Sequence, residues 1–403
     1  MQDYDVVVSG AGPSGSACAR LLGDKGLRVL LVDKSIFPRD TGKAALLLPE
    51  AMDVLSRLGV WDKVVEKGAH SLEGLAFFHE GKEWESAHRP TTPHLAMASV
   101  PRKQVDNILF EHATKGCEFR ESVQVTGVNV LQDKVEVRLA DLSTRQVRTV
   151  TCDMVVGADG AFSEVARSLG GLENPAWHTM MGVQKIVSSS PTESKQGDIH
   201  FHEELGPGYT WMVPLEKGQV SVGACVSPVW MDRHRVDLVE WMEKWMSTFE
   251  WTHPSSPNSL SSGWEEQVIP LRGSSRPRVF NRALLIGDAA GVAHSFSGMG
   301  IGDALTSSWM AGETIWEAYS RADFSRASLS AYDHRLQTHL QRHPSPEGAR
   351  ALMHIKPIWK RLLCRADTQP ALSQDLSHLF FPSEKESRPV SAGGLIKNAW
   401  MGR

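Results

Sequence analysis

Val6-Val7-Val8-Ser9-Gly10-Ala11-Gly12-Pro13-Ser14-Gly15 runs from an apolar stretch into a turn whose glycines, at 10, 12 and 15, have the spacing Gly-x-Gly-x-x-Gly. Tyr4 to Ser9 reads as a strand, the stretch rich in alanine and leucine up to Lys25 as a helix, and Arg28 to Val32 as a second strand. About 30 residues therefore make one parallel β-α-β unit. Glycine at these positions allows a tight turn, close approach of backbone to a pyrophosphate, and packing of helix on strand. The helix starting near Pro13 offers its N–H groups and positive dipole end to phosphate. Asp33 ends the second strand, where a carboxylate can accept hydrogen bonds from a ribose, and Lys34 follows it. The motif by itself specifies a dinucleotide and does not separate FAD from NAD.

Further along, Gly287-Asp288-Ala289-Ala290-Gly291 follows the apolar strand Ala283 to Ile286, and Gly298-Met299-Gly300 opens the next helix. An aspartate at a strand end can bind a ribityl hydroxyl, and a glycine-started helix can stabilise negative charge on a reduced flavin. Asp159-Gly160 closes a third strand-turn-helix, from Val155 to Arg167. Arg102 begins its own helix and is a candidate partner for the pyrophosphate or flavin edge. As a set these residues select FAD.

The set Gly10, Gly12, Gly15, Asp33, Arg102, Asp159-Gly160 and Asp288 resembles the FAD-dependent aromatic monooxygenases with the para-hydroxybenzoate hydroxylase fold, a family that also contains geranylgeranyl reductases and flavin-dependent halogenases. The likeness runs from about Asp3 to Gly312. It implies that the glycine motif and Asp33 hold the ADP half, that the Gly287-Asp288 turn holds the ribityl chain, and that Asp159-Gly160 supports both FAD and NAD(P)H. Gly208-Tyr209-Thr210-Trp211-Met212-Val213-Pro214-Leu215 is similar to the GWxWxIP segment of halogenases and to the Tyr-x-Trp-x-x-Pro segment of prenyl reductases. Thr41-Gly42-Lys43-Ala44 departs from both, lacking the cysteine of the reductases and the glutamate of the halogenases. Ser295 stands where the family usually has proline.

The resemblance implies an α/β fold: a Rossmann-type FAD-binding domain, glutathione-reductase-like, with an inserted antiparallel-sheet substrate domain and C-terminal helices. The expected FAD-binding domain comprises residues 1–75, 98–175 and 275–320. Residues 76–97 and 176–274 form the expected substrate sheet, and 321–403 a helical C-terminal region. Helices are expected at Pro49 to Leu58, Trp61 to Gly68, Arg102 to Lys115, Asp237 to Phe249, Gly300 to Tyr319, Ser325 to Gln341 and Glu347 to Leu363. Broken strands are expected from Leu75 to Val100, and the tail from Asp367 is weakly specified.

Bulk properties exclude other classes. The 403 residues are 41% apolar and 22% charged, ordinary for a globular chain and wrong for a disordered or fibrous one. A net charge of −4 argues against a nucleic-acid binder. The five cysteines lack a CxxC pair, which favours a reducing compartment and no structural zinc. Neither a secretory signal nor an integral membrane segment is legible, so the reading is cytoplasmic. His200 and His202, two apart on a strand, have no third ligand nearby and read as structural rather than metal-binding. No phosphate loop and no Gly-x-Ser-x-Gly elbow is present.

The expected activity is a single-component monooxygenase in which NAD(P)H reduces FAD and molecular oxygen hydroxylates an electron-rich aromatic, a phenol or indole, on a small molecule or a partner protein. Tyr209, Trp211 and Phe296 are the candidate substrate contacts, and Met299 lies with Gly298 and Gly300 beside the flavin. His294 and Lys43 are the candidate acid–base groups. Prenyl reductase, halogenase and a flavin-binding regulatory module are the alternatives.

Overall fold

The computed structural model describes residues 2–84, 97–171, 175–188, 194–249, 263–273, 276–341, 347–381 and 394. Val6, Val7 and Val8 have no exposed surface, because the strand Tyr4–Ser9 lies between parallel neighbours, with the helix Pro13–Asp24 packed on it, inside one apolar core. Its sheet has eight strands, of which Ala283–Leu285, Val147–Gly157, Tyr4–Ser9, Val29–Val32 and Glu118–Arg120 lie side by side and parallel. Val279–Phe280 adds an antiparallel edge, and the hairpin Val123–Val130 with Val135–Asp141 pairs with the N-terminal part of Val147–Gly157. The helices Pro13–Asp24 and Ile301–Arg321 pack together over this sheet.

Register decides where the site forms. Val8 pairs with Val156, and Val156 pairs with Leu284. Three turns far apart in the chain, at Gly10, Ala158 and Gly287, therefore leave the sheet at the same edge. A parallel α/β sheet binds its ligand in such a crevice beyond the carboxyl ends of its strands.

The second sheet has seven strands in the order Glu265–Pro270, Thr179–Ser188, Gln219–Val226, Tyr209–Leu215, Gln196–Phe201, Gly74–His79 and Lys82–Glu83. All pairs are antiparallel except Gln196–Phe201 with Gly74–His79. The helix Leu238–Met246 packs on this sheet through Leu238, Met242 and Met246. A small third sheet, Ala44–Leu47, Met97–Pro101 and His70–Leu72, bridges the two: Ser99 donates its hydroxyl proton to the Pro214 carbonyl. The α/β fold with an inserted antiparallel sheet is the one expected.

Two local expectations are corrected. The single helix from Glu347 to Leu363 is two, Glu347–Met353 and Lys356–Ala366, because Pro357 in the first turn of the second can supply no N–H to a continuous helix. The tail from Asp367 is not weakly specified over its described part: Pro370–Phe380 is a helix that buries Leu372, Leu376, Leu379 and Phe380. Of the stretch expected as broken strands, residues 85–96 lie outside the described residues, as do 382–393 and 395–403 of the tail.

Candidate active site

The three turns open on a cavity of about 740 Å³ that continues to the inner face of the second sheet. Gly10 has φ +100°, and a Cβ there would sit 2.4 Å from the Ala158 carbonyl oxygen. A Cβ on Gly15 would sit 1.7 Å from the Gly10 oxygen. Gly12 differs: nothing lies within 4 Å of the place its Cβ would take, so its backbone is bare toward the cavity. The helix Pro13–Asp24 starts there without a side-chain cap, leaving its first N–H groups for a ligand.

Asp33 lines the cavity with both carboxylate oxygens engaged. Oδ2 accepts from Ala11 N–H at 2.7 Å and from Arg39 Nη2 at 2.9 Å, and Oδ1 accepts from Ser35 N–H at 2.8 Å. Lys34 is exposed at the rim beside it. Asp159 also lines the cavity, but its carboxylate accepts from the Ser163 hydroxyl and from the N–H groups of Glu164, at 2.9 Å, and Val165, at 3.3 Å. It thereby fixes the start of the helix Glu164–Ser168, and Gly160 turns the chain at φ +80°.

Arg102 opens the helix Arg102–Ala113 and grips Asp106 with Nε at 2.9 Å and Nη2 at 3.2 Å. Burial works against its charge, yet Asp106 and Asp288 carry its pKa above the usual guanidinium value. Asp288 is the converse. Burial raises its carboxyl pKa, while Arg102, Lys43 and Arg276 favour the anion. Arg276 also holds the turn itself, donating to the carbonyls of Asp288, at 3.2 Å, and Ala289, at 2.9 Å. From the described residues the Asp288 carboxylate accepts no hydrogen bond, so it faces the cavity as a free acceptor. A bare glycine backbone at a helix start and an unengaged carboxylate across the cavity fit a pyrophosphate and a polyhydroxyl chain. Gly298, Met299 and Gly300 line the same region, and Gly300 heads the helix Ile301–Arg321, also uncapped by any side chain.

Lys43 lines the cavity between Arg102 and the second sheet, with Nζ 3.4 Å from the Glu266 carbonyl oxygen. Burial, then the neighbouring Arg102 charge, lower its pKa. The segment around it is stitched to the sheet: Gly42 N–H donates to Glu265 at 3.2 Å and Ala44 N–H to Gln184 at 3.0 Å. The Thr41–Ala44 departure noted in the sequence is thus a seam between the two sheets.

Beyond Met299 the wall turns apolar. The Trp211 ring lies over Gly223, where a Cβ would meet it at 2.3 Å, and its indole N–H donates to Ser221 at 3.2 Å. The Tyr209 hydroxyl donates to the Ser297 carbonyl at 2.5 Å, tying the second sheet to the loop before Gly298. Both rings line the cavity, with Ile199, Val213 and Phe381. His294 and Phe296, expected in this pocket, are not among its lining residues. His294 is 4% exposed and pairs through Nδ1 with the Ser297 hydroxyl at 3.1 Å, so it braces the loop from behind. Phe296 is 2% exposed and packs edge-on against Phe380. A loop that turns at Gly298, φ +67°, sends these side chains into the core.

Sequence reasoning missed Arg39, Ser221, Cys225 and Phe381, all of which line the cavity. Cross-strand pairing could not be read in advance, yet it sets Cys225 directly opposite Tyr209. His200 and His202 lie outside the cavity, buried against Trp241 and Trp245. Among the described residues no group of three His, Cys, Asp or Glu side chains is placed to hold a metal ion, and no helix is long and apolar enough to cross a membrane.

The family described as "FAD binding domain" matches residues 3–343. The digeranylgeranylglycerophospholipid reductase of Methanosarcina mazei is 28% identical over 337 residues, 81% of this chain and 78% of that protein. The menaquinone reductase of Mycobacterium tuberculosis is 30% identical over 335 residues, 77% of this chain and 76% of that protein. In fold, the chain is similar to the solved structure of a geranylgeranyl bacteriochlorophyll reductase-like protein from Thermoplasma acidophilum, with a TM-score of 0.77 at 19% identity over 94% of this chain and 97% of the other.

Proposed function

The chain belongs to the FAD-binding-domain family of flavin-dependent oxidoreductases, and from that premise we propose that it is an NAD(P)H-using monooxygenase that hydroxylates an electron-rich aromatic, a phenol or indole, borne on a small molecule, a biosynthetic intermediate or a partner protein. The observation that carries this reading is the division of the cavity. Asp33, Arg39, Arg102, Asp106 and Asp288 gather at one end, aromatic and aliphatic side chains form the other, and Lys43 stands between the two. The charged end suits FAD: Gly12 and the helix start for the pyrophosphate, Asp33 for the ADP half, Asp288 for the ribityl chain, and Gly298 to Gly300 beside the ring.

FAD bound there would supply, once reduced, the activation of dioxygen that no amino-acid side chain supplies. The chain's part is to exclude water and hold an aromatic ring between Tyr209, Trp211 and Phe381. The aromatic donors on that wall are already engaged. The Tyr209 hydroxyl is spent on Ser297, the Trp211 N–H on Ser221, and burial pushes the Cys225 thiol up to about 12. Lys43, its pKa lowered, is the side chain suited to take the proton of a phenol or indole at Nζ.

The curated relatives favour a second reading, reduction of an isoprenoid double bond, since both are named as reductases. One experiment separates the two. Under ¹⁸O₂ with NADPH, the monooxygenase puts one labelled atom into the aromatic product. Turnover that continues without oxygen, giving a product two hydrogens heavier, sinks the first reading and leaves the second, while a product that requires chloride selects a halogenase.

A further inference from the structure

The family match ends at residue 343, yet the cavity wall does not. Phe381 follows the helix Pro370–Phe380 and lines the apolar end at 5% exposure. Its ring meets Tyr209 edge-on with centroids 5.4 Å apart and Phe77 at 5.7 Å, so it stands against two strands of the second sheet.

The helix that presents it is anchored at its start. Asp367, in the link between the helices Lys356–Ala366 and Pro370–Phe380, takes hydrogen bonds at its carboxylate from His79, at 2.9 Å, and from the Trp84 indole N–H, at 3.0 Å. Lys82 donates to its carbonyl at 2.5 Å. Along the helix, Leu372, Leu376, Leu379 and Phe380 lock into the core that holds Phe201, Tyr209 and Trp359. Neither end of the segment is left to find its own place, and Phe381 occupies a defined position on the wall.

We propose that Phe381 is a specificity-determining residue: its ring sets the depth of the substrate end, so the segment beyond the family match selects which aromatic substrate the shared flavin-binding part acts on. This rests on the reading of the apolar end as the substrate site. A phenyl side chain that closes a pocket admits a single ring and turns away a longer one, and removing it leaves a space about the size of the lost ring.

The test uses the full-length holoenzyme and three neutral probes that share one hydroxyl and grow in length: phenol, 2-naphthol and 4-phenylphenol. Each is titrated against the visible absorption of the bound flavin, with FAD affinity measured in parallel. Phe381→Ala is expected to raise the affinity for 4-phenylphenol relative to phenol at least tenfold with FAD affinity unchanged, and Phe381→Leu, which keeps an apolar side chain, to raise it less. An unchanged ratio in both variants, or a ratio that moves only together with FAD affinity, overturns the proposal. If none of the probes perturbs the flavin in wild type or variants, the substrate-site reading itself fails and takes the proposal with it.

Discussion

Among the described residues no donor reaches the Asp288 carboxylate, in a cavity that also holds Lys43 and Arg102. Burying an anion with cations near it but no hydrogen bond is a poor arrangement unless a ligand completes it. A hydroxyl chain would do so. Hydrogen bonds to a charged group contribute about 1.5–3 kcal/mol each, so Asp288→Ala is expected to weaken FAD binding by roughly tenfold to a hundredfold while the apoprotein keeps its melting temperature. Equilibrium dialysis of FAD checks this; retention of full affinity would remove Asp288 from the site. Asp159 makes the contrast. With its oxygens held by Ser163, Glu164 and Val165, it shapes a turn more than it offers an acceptor. Residue type and position were legible in the sequence for both, but the partners that separate an open carboxylate from a closed one were not.

At the scale of elements, His200 and His202 belong to the strand region facing the helix Leu238–Met246, where Trp241 and Trp245 cover them. Burial lowers their pKa values to about 4 and about 3, from the usual 6.5 of a histidine. The sign follows directly. Below pH 6.5 the unfolded chain takes up protons that the folded chain refuses, so stability falls as pH drops toward 4, by at most about 1.4 kcal/mol per pH unit for each histidine. Burial lowers His354 to about 4 as well, so the urea midpoint is expected to fall between pH 7 and pH 5, and His200→Phe, which keeps a flat ring against Trp245, should reduce that fall by up to about a third. An equal fall in both proteins would mean that other groups govern acid sensitivity.

The same scale shows what the sequence conveyed. Tyr4–Ser9, its glycine turn and the helix after it were legible because strand, turn and helix signals are local and follow one another without a gap. The Pro370–Phe380 helix carries an equally local apolar spacing, but the charged and proline-rich residues around it masked the signal. His294 and Phe296 misled for another reason: nearness in sequence to a cofactor turn does not say which way a loop sends its side chains.

Across the whole molecule, the apolar interior falls into separate clusters, one within the parallel sheet and its helices and another joining the second sheet to the C-terminal helices. The cofactor end of the cavity is framed by the first, the opposite end by the second. This division explains why the cofactor was legible and the substrate was not. The glycine and aspartate turns are short motifs with fixed chemistry, whereas the apolar end is assembled from Ile199, Tyr209, Val213 and Phe381, brought together by tertiary packing.

The pairing of Val8 with Val156 and of Val156 with Leu284 also has a consequence in time. The strand made last, Ala283–Leu285, docks beside one made more than a hundred residues earlier and brings the Gly287-Asp288 turn with it. A ribosome adding about 5–20 residues per second needs roughly 15–60 s to pass from the Gly10 turn to that one, and until then the nascent chain has half a cleft and nothing to close it. Ribosome-bound chains stalled before residue 280 are therefore expected not to retain FAD, and chains stalled long enough for Ile301–Arg321 to emerge are expected to begin to do so. Equal retention of labelled FAD by both lengths would mean that the glycine turn of the first strand holds the cofactor without its late neighbour.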